Sequence, residues 1–306
     1  MHAVIIDTLS KVYGKDKIVA VDRVSLEVKK GELFGLIGPD GAGKTSIFRI
    51  LTTLLLPSSG SARVDGYDVV KDYKSIRSRV GYMPGRFSLY QDLSVEENLT
   101  FFANLFNTSL KENYKLIEAI YVQLEPFKNR KAGKLSGGMK QKLALCCALI
   151  HQPSVLFLDE PTTGVDAVSR KEFWDMLKRL KEEGITIMVS TPYMDEAKRC
   201  DRIALIQSGK LLSVDTPAQV TAAYSKKLFS AKADNMIRLL YALRASAHVS
   251  SCYAFGETHH FHFQEQGSSI DLLNELKQAG LEQIEIENIT PGIEDCFIDL
   301  MLEKTK

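Results

Sequence analysis

Nine residues constrain this chain more than any others: Gly38-Pro39-Asp40-Gly41-Ala42-Gly43-Lys44-Thr45-Ser46. They fit G-x-x-x-x-G-K-[ST] without a mismatch. The apolar run Leu33-Phe34-Gly35-Leu36-Ile37 before them reads as a buried strand, and Ile47-Phe48-Arg49-Ile50-Leu51 after them as the first turns of a helix. Strand, glycine loop and helix together give the pattern its physical meaning. The backbone N–H groups of such a loop wrap an anion. Gly38, Gly41 and Gly43 supply the backbone angles and close approach that a side chain would block. The helix start aims its dipole and unpaired N–H groups at the same anion. Lys44 adds a full charge at the β- and γ-phosphates, and the Thr45 hydroxyl is a ligand for Mg²⁺. Pro39, Asp40, Ala42 and Ser46 complete the cradle.

A second nucleotide signal lies downstream. Val155-Leu156-Phe157-Leu158 reads as a buried strand and ends in Asp159-Glu160. At a strand end Asp159 can hold Mg²⁺ through water, and Glu160 can orient and polarise an attacking water. Leu135-Ser136-Gly137-Gly138-Met139 then opens a helix. Ser136 is a good N-cap, and two glycines stand where alanine or glutamate would favour the helix more. A second anion-binding helix end in a chain that already has one suggests a site completed between two subunits.

Buried strands alternate with helices through 168–182, Ile185–Val189 and Ile203–Ile206, which predicts an α/β fold with a mostly parallel sheet and helices on both faces. Segments before residue 35 read as short strands and turns: Val4-Ile5-Ile6, Val19-Ala20-Val21 and Val24–Val28. Asp65-Gly66 reads as a hairpin turn. Residues 94–125 are helical in pattern, with Ser94 and Glu97 forming a capping box. The expected domains are 1–220 and a small α+β domain at 221–306. The latter shows helical patterns around 231–245 and 268–279 and strand-like runs near 258–264 and 282–286.

The 306 residues are 45% hydrophobic and 25% charged with net charge +1, so no global field draws the chain to nucleic acid or to an anionic membrane. The five scattered cysteines form no C-x-x-C pair, which points to a reducing compartment. No run approaches a membrane span, and the N-terminus does not read as a signal peptide. Any membrane role therefore calls for another chain to supply the span.

These motifs in this order, G-P-D-G-A-G-K-T-S, L-S-G-G-M and V-L-F-L-D-E-P-T-T-G-V-D, resemble the ATP-binding cassette of an ABC transporter over residues 3–215. The resemblance implies a P-loop NTPase core with an antiparallel β subdomain and a helical signature subdomain at about 90–150. It implies ATP and Mg²⁺ as cofactors, Tyr13 stacking on adenine, and Asp166 in the loop that crosses to a second subunit. Ser136, Gly137 and Gly138 would serve a partner's nucleotide in trans. The implied partners are transmembrane permease subunits, contacted through a groove lined by residues 85–106, and a second cassette, in a homodimer or, by preference, a heterodimer. Nucleic acid is not among them. The implied place is cytoplasmic, peripheral on the inner face of the cell membrane. Ile289–Phe297 resembles the extension of drug- and polyketide-exporter ATPases, which leans the reading toward export.

Two positions depart from the family. Gly85 stands where G-Y-x-P-Q has glutamine, and Pro192 where S-T-H has histidine. Neither can donate a side-chain hydrogen bond. The expectation is a site that binds MgATP and turns it over slowly beside a complete partner cassette. The alternatives are a regulatory subunit that hydrolyses little, or a soluble ATPase acting on ribosomes or DNA. Smaller readings are a metal site at His260 and His262 on one strand face, against a plain polar face, and Trp174 with Leu177 and Leu180 as core.

Overall fold

The computed structural model describes residues 1–303. In chain order the first elements are β1 (His2–Tyr13), β2 (Ile18–Lys29), β3 (Leu33–Ile37), α1 (Lys44–Leu51), β4 (Ser59–Val64), β5 (Tyr67–Asp68), α2 (Tyr73–Arg77), β6 (Val80–Met83), α3 (Val95–Leu105) and α4 (Tyr114–Tyr121). Next come α5 (Gly137–Leu149), β7 (Val155–Asp159), α6 (Ala167–Glu182), β8 (Thr186–Thr191), β9 (Arg202–Gln207), β10 (Lys210–Asp215) and α7 (Pro217–Ala222). The last are β11 (Leu228–Lys232), α8 (Met236–Ala245), β12 (Val249–Phe255), β13 (Thr258–Phe263), α9 (Ser269–Gln278), β14 (Glu285–Ile289) and α10 (Ile293–Glu303). Two units separate, one of Met1–Val220 with the chain from Asp299, the other of Thr221–Ile298.

The first unit is built on a six-stranded sheet in the order β10-β9-β3-β8-β7-β6. All its pairings are parallel except that of the edge strand β10. Every residue of β3, β7 and β8 is buried, which is why these strands read as continuous apolar runs. Their register decides where the chemistry falls. Ile37 pairs with Thr191 and Asp159 with Ser190, so the glycine loop, the Asp159-Glu160 corner and the end of β8 leave the sheet at one edge. Carboxyl ends of parallel strands are where open α/β sheets bind ligands. Trp174, Leu177 and Leu180 are buried along α6.

An antiparallel sheet, β2-β1-β4-β5, accompanies it. Its β4–β5 turn has positive φ at both Asp65 (50°) and Gly66 (87°), the mirror-image turn that matches strand twist. The short strands expected before residue 35 are instead two twelve-residue strands, β1 and β2. Register shifts along β1, with positive φ at Thr8 and Arg23, break the alternation without ending the pairing.

The expected helix over 94–125 is likewise divided. Its capping box is present: Ser94 Oγ accepts from Glu97 N, and Glu97 Oε2 accepts from Ser94 N. The helix stops because Asn107 turns left-handed (φ 54°), with Asn107 N bonded to Asn104 O and Thr108 N to Ala103 O. That is a Schellman stop built on asparagine rather than glycine. Cys146 and Cys147 are buried in α5, and burial pushes both thiols up.

The second unit runs β11-α8-β12-β13-α9-β14, with antiparallel sheet order β12-β13-β11-β14. This is the split βαβ arrangement, with Leu239, Leu243, Phe261, Leu272 and Leu276 in its core. The helix expected from about 231 begins only at Met236, where the Asn235 side chain caps Arg238 N at 3.0 Å. Leu228–Lys232 is a strand, and β12 and α10 are elements that the periodicity did not mark.

Candidate nucleotide site

The glycine loop joins β3 to α1, and its glycines serve different needs. A Cβ on Gly38 would lie 2.2 Å from Ile206 O, and one on Gly43 2.2 Å from Ala20 O. Gly41 has open space around it but a φ of +78°. Gly38 is fixed by close approach, Gly41 by backbone conformation, and Gly43, with φ +103°, by both. Gly43 is the N-cap of α1 and makes no side-chain cap, so the N–H groups of the first turn face the loop.

Lys44 is 3% exposed. Its Nζ donates to Gly38 O at 2.7 Å and Pro39 O at 3.0 Å, and lies 3.1 Å from Glu160 Oε1. Tyr13, at the end of β1, has its hydroxyl 3.1 Å from Ser46 Oγ. Asp40 is exposed, Ala42 is buried, and Thr45 is half-buried in the first turn of α1. These elements bring Tyr13, the whole glycine loop, Asp159 and Glu160 to one corner of the first unit.

Ser190 organises the two acids, and the sequence reading gave it no role. Its hydroxyl donates to Asp159 Oδ1 at 2.5 Å and accepts from Glu160 N at 3.1 Å, while its carbonyl accepts from Glu160 N at 3.0 Å. Glu160 has φ +51°, rare for a residue with a side chain, and these bonds hold it there. Gly85 borders the same corner: a Cβ there would sit 3.0 Å from Asp159 O and 3.7 Å from Glu160 Cβ. Pro192 follows β8 directly.

Ser136 is the N-cap of α5, and Gly137 and Gly138 form its first turn, beside Gly164 and Ser169 respectively. Ser136 Oγ caps the helix through Met139 N at 3.3 Å. A Cβ on Gly138 would strike Ser169 Oγ at 2.7 Å, so packing within the chain accounts for that glycine. A Cβ on Gly137 would meet nothing nearer than Gly164 O at 3.6 Å. Among the described residues nothing requires a glycine at 137. Asp166 caps α6, accepting from Val168 N and Ser169 N at 3.1 and 2.9 Å, and the Ser169 bond holds its carboxyl below the usual range.

The histidine cluster of the second unit finds protein partners instead. His260 Nδ1 is 2.7 Å from Asp295 Oδ1, His262 bonds Tyr224 and Ser251, and His259 Nε2 is 2.6 Å from Met236 O. Among the described residues no group of three candidate ligands could hold a metal.

A groove of about 860 Å³ opens beside β6 and α3, lined among others by Leu54, Tyr73, Met83, Phe102, Leu105 and Phe106. Lys74 and Arg77 stand on its wall. Among the described residues no helix is long and apolar enough to cross a membrane.

Known proteins resemble this chain in sequence and in fold. Residues 21–163 match the family model described as ABC transporter. The chain is 40% identical over 294 residues to YbhF of Escherichia coli (strain K12), named a probable multidrug ABC transporter ATP-binding protein, covering 94% of this chain and 50% of that one. It is 41% identical over 217 residues to the doxorubicin resistance ATP-binding protein DrrA of Mycobacterium tuberculosis (strain CDC 1551 / Oshkosh), covering 70% of this chain and 66% of the relative. The chain thus spans half the length of the first relative and just under two thirds of the second. Among solved structures, an ATP-binding cassette dimer in a post-hydrolysis state, bound to ADP and Pi, superposes with a TM-score of 0.64 at 27% identity, over 70% of this chain and 98% of that one.

Proposed function

This chain belongs to the ABC transporter ATP-binding proteins, and from that premise we propose that it hydrolyses ATP to power export through separate membrane-spanning subunits. The observation that carries the reading is the convergence of Lys44 on Glu160. A buried ammonium set by two loop carbonyls lies 3.1 Å from the acid, so a γ-phosphate held by Lys44 is presented to Glu160. Loop N–H groups and the α1 start bind the phosphates, Lys44 neutralises their charge, and Tyr13 stacks on the base. Glu160 orients and polarises the attacking water. Thr45 and Asp159 offer hard oxygen donors, and Asp159 is buried with only Oδ1 taken up by Ser190, so the donor set fits Mg²⁺. That ion would offset charge on the β- and γ-oxygens.

The other half of the reading concerns a partner cassette. Ser136, Gly137 and Gly138 would meet a nucleotide held by a second chain, with Asp166 beside them. The room at Gly137 supports this, because closeness to something outside the chain explains a glycine that its own fold does not need. Gly85 and Pro192 deprive the chain's own site of two donors. Loss of one such donor costs about 10²–10³ in rate. The pairing that fits is a heterodimer with a complete cassette. The apolar groove with Lys74 and Arg77 is the proposed seat of the membrane subunit, with the chain on the inner face of the membrane. The names of the two relatives support export of drug-like compounds. A regulatory subunit that binds but does not hydrolyse ATP is the second reading, favoured by Gly85 and Pro192 and opposed by the placement of Glu160.

ATP turnover of the purified chain, with Glu160→Gln as control and MgATP binding measured in parallel, tests the proposal. The expected result is binding with slow turnover that the substitution abolishes. Turnover at an ordinary rate by a homodimer would overturn the asymmetric pairing. Binding with no turnover at all would select the regulatory reading.

A further inference from the structure

Glu196 lies in the 3₁₀ turn Met194–Arg199 after β8 and is 2% exposed. Its two oxygens serve different segments. Oε1 accepts from Thr162 Oγ1 at 2.8 Å, and Oε2 accepts from Thr191 Oγ1 at 2.6 Å. Thr162 stands two residues beyond Glu160, and Thr191 directly precedes Pro192. Both threonines are buried. Thr191 Oγ1 also accepts from Tyr193 N at 3.1 Å, so one hydroxyl shapes the turn around the proline. Beyond Glu160 the backbone continues in tight turns, with Thr163 N bonded to Glu160 O and Val165 N to Thr162 O, and reaches Asp166 at the head of α6.

Arg170 of α6 completes the cluster. Its Nε is 3.9 Å from Glu196 Oε1, and its guanidinium lies 4.5 Å over the Tyr193 ring. The cation is too far for a hydrogen bond, so the two hydroxyls are what satisfy the carboxylate. A buried carboxylate without them would be costly. Two further facts give this clamp a purpose. Pro192 has neither an N–H nor a donor side chain, so it cannot tie itself to the acids across the site. Glu160 holds a backbone conformation that its surroundings must enforce.

We propose that Glu196 is a positioning residue for ATP hydrolysis. Its carboxylate locks the turn after Glu160 and the turn around Pro192 into one register, and through the 160–166 turns it ties both to Asp166. This rests on the reading of Glu160 as the group that acts on the attacking water.

The test compares Glu196→Ala and Glu196→Gln in the full chain by steady-state kinetics, MgATP affinity and amide hydrogen exchange. For the alanine variant kcat should fall about 10- to 100-fold, while KM and MgATP affinity stay within about threefold, the signature of misplaced rather than missing groups. Exchange should rise together in residues 160–166 and 190–193 and stay unchanged in β3 and α1. Glutamine should restore most of both, because its oxygen accepts one hydroxyl and its amide donates to the other. Unchanged exchange in the two segments would overturn the clamp. So would a fall in kcat matched by lost affinity and by raised exchange throughout the sheet, which marks a merely structural residue. The exchange readout needs no turnover, so it decides the clamp even if Glu160→Gln leaves turnover intact and the hydrolytic reading of Glu160 fails.

Discussion

Glu160 shows how much a single residue depends on partners far away in sequence. Its carboxylate meets Lys44, its N–H is held by Ser190, and the turn after it hangs on Glu196. Lysine, aspartate and glutamate could be assigned roles from the sequence because their chemistry is strong and their motifs are local. Ser190, Thr162 and Glu196 could not, because ordinary serines, threonines and glutamates gain a role only from what the fold places opposite them. Gly85 and Pro192 offer the sharpest residue-scale test. Restoring both donors, Gly85→Gln with Pro192→His, should raise turnover at least tenfold with MgATP affinity unchanged, given about 10² per donor. The glutamine Cβ must fit 3.0 Å from Asp159 O, so a few tenths of an ångström of yielding is required there. Equal turnover in the parent and double variant would show that the two positions do not limit the rate.

Among the elements, those with uniform burial were legible. β3, β7 and β8 are buried on both faces, and an apolar run can be read without knowing its neighbours. β1 and β2 were harder because bulges interrupt the period-2 pattern, and α3 ended on an asparagine where a helix stop is usually marked by glycine. The α5–α6 contact separates two glycines that look equivalent in the sequence. Gly138→Ala should destabilise the first unit by about 1–3 kcal/mol, because the methyl overlaps Ser169. Gly137→Ala should leave stability unchanged or raise it by up to about 1 kcal/mol. It should nonetheless reduce turnover of the assembled pair at the partner's nucleotide. Urea midpoints set against turnover of the assembled pair check this, and equal loss of stability in both variants would refute the distinction.

At the scale of the whole molecule, each unit has a core of its own, one with Phe34, Phe48 and Phe157, the other with Leu243 and Phe261. Calorimetry should therefore show two transitions. MgATP at 100 times its Kd should stabilise one of them by about 2.7 kcal/mol. Leu243→Ala should weaken the other by about 2–5 kcal/mol and leave the nucleotide-sensitive transition in place. A single transition that answers to both changes would contradict this. By itself the sequence determined the glycine loop between a strand and a helix, the paired acids at a strand end and the alternation of buried strands with helices, because these are written in contiguous residues whose backbone needs or charge are local. Only the tertiary structure decided that the ends of β3, β7 and β8 meet at one edge, that Ser190 bonds both Asp159 and Glu160 while Glu196 bonds Thr162 and Thr191, and that Gly138 is filled from within while Gly137 is left open. Register and packing across separate strands and helices fix those relations, and no local pattern of residues carries them.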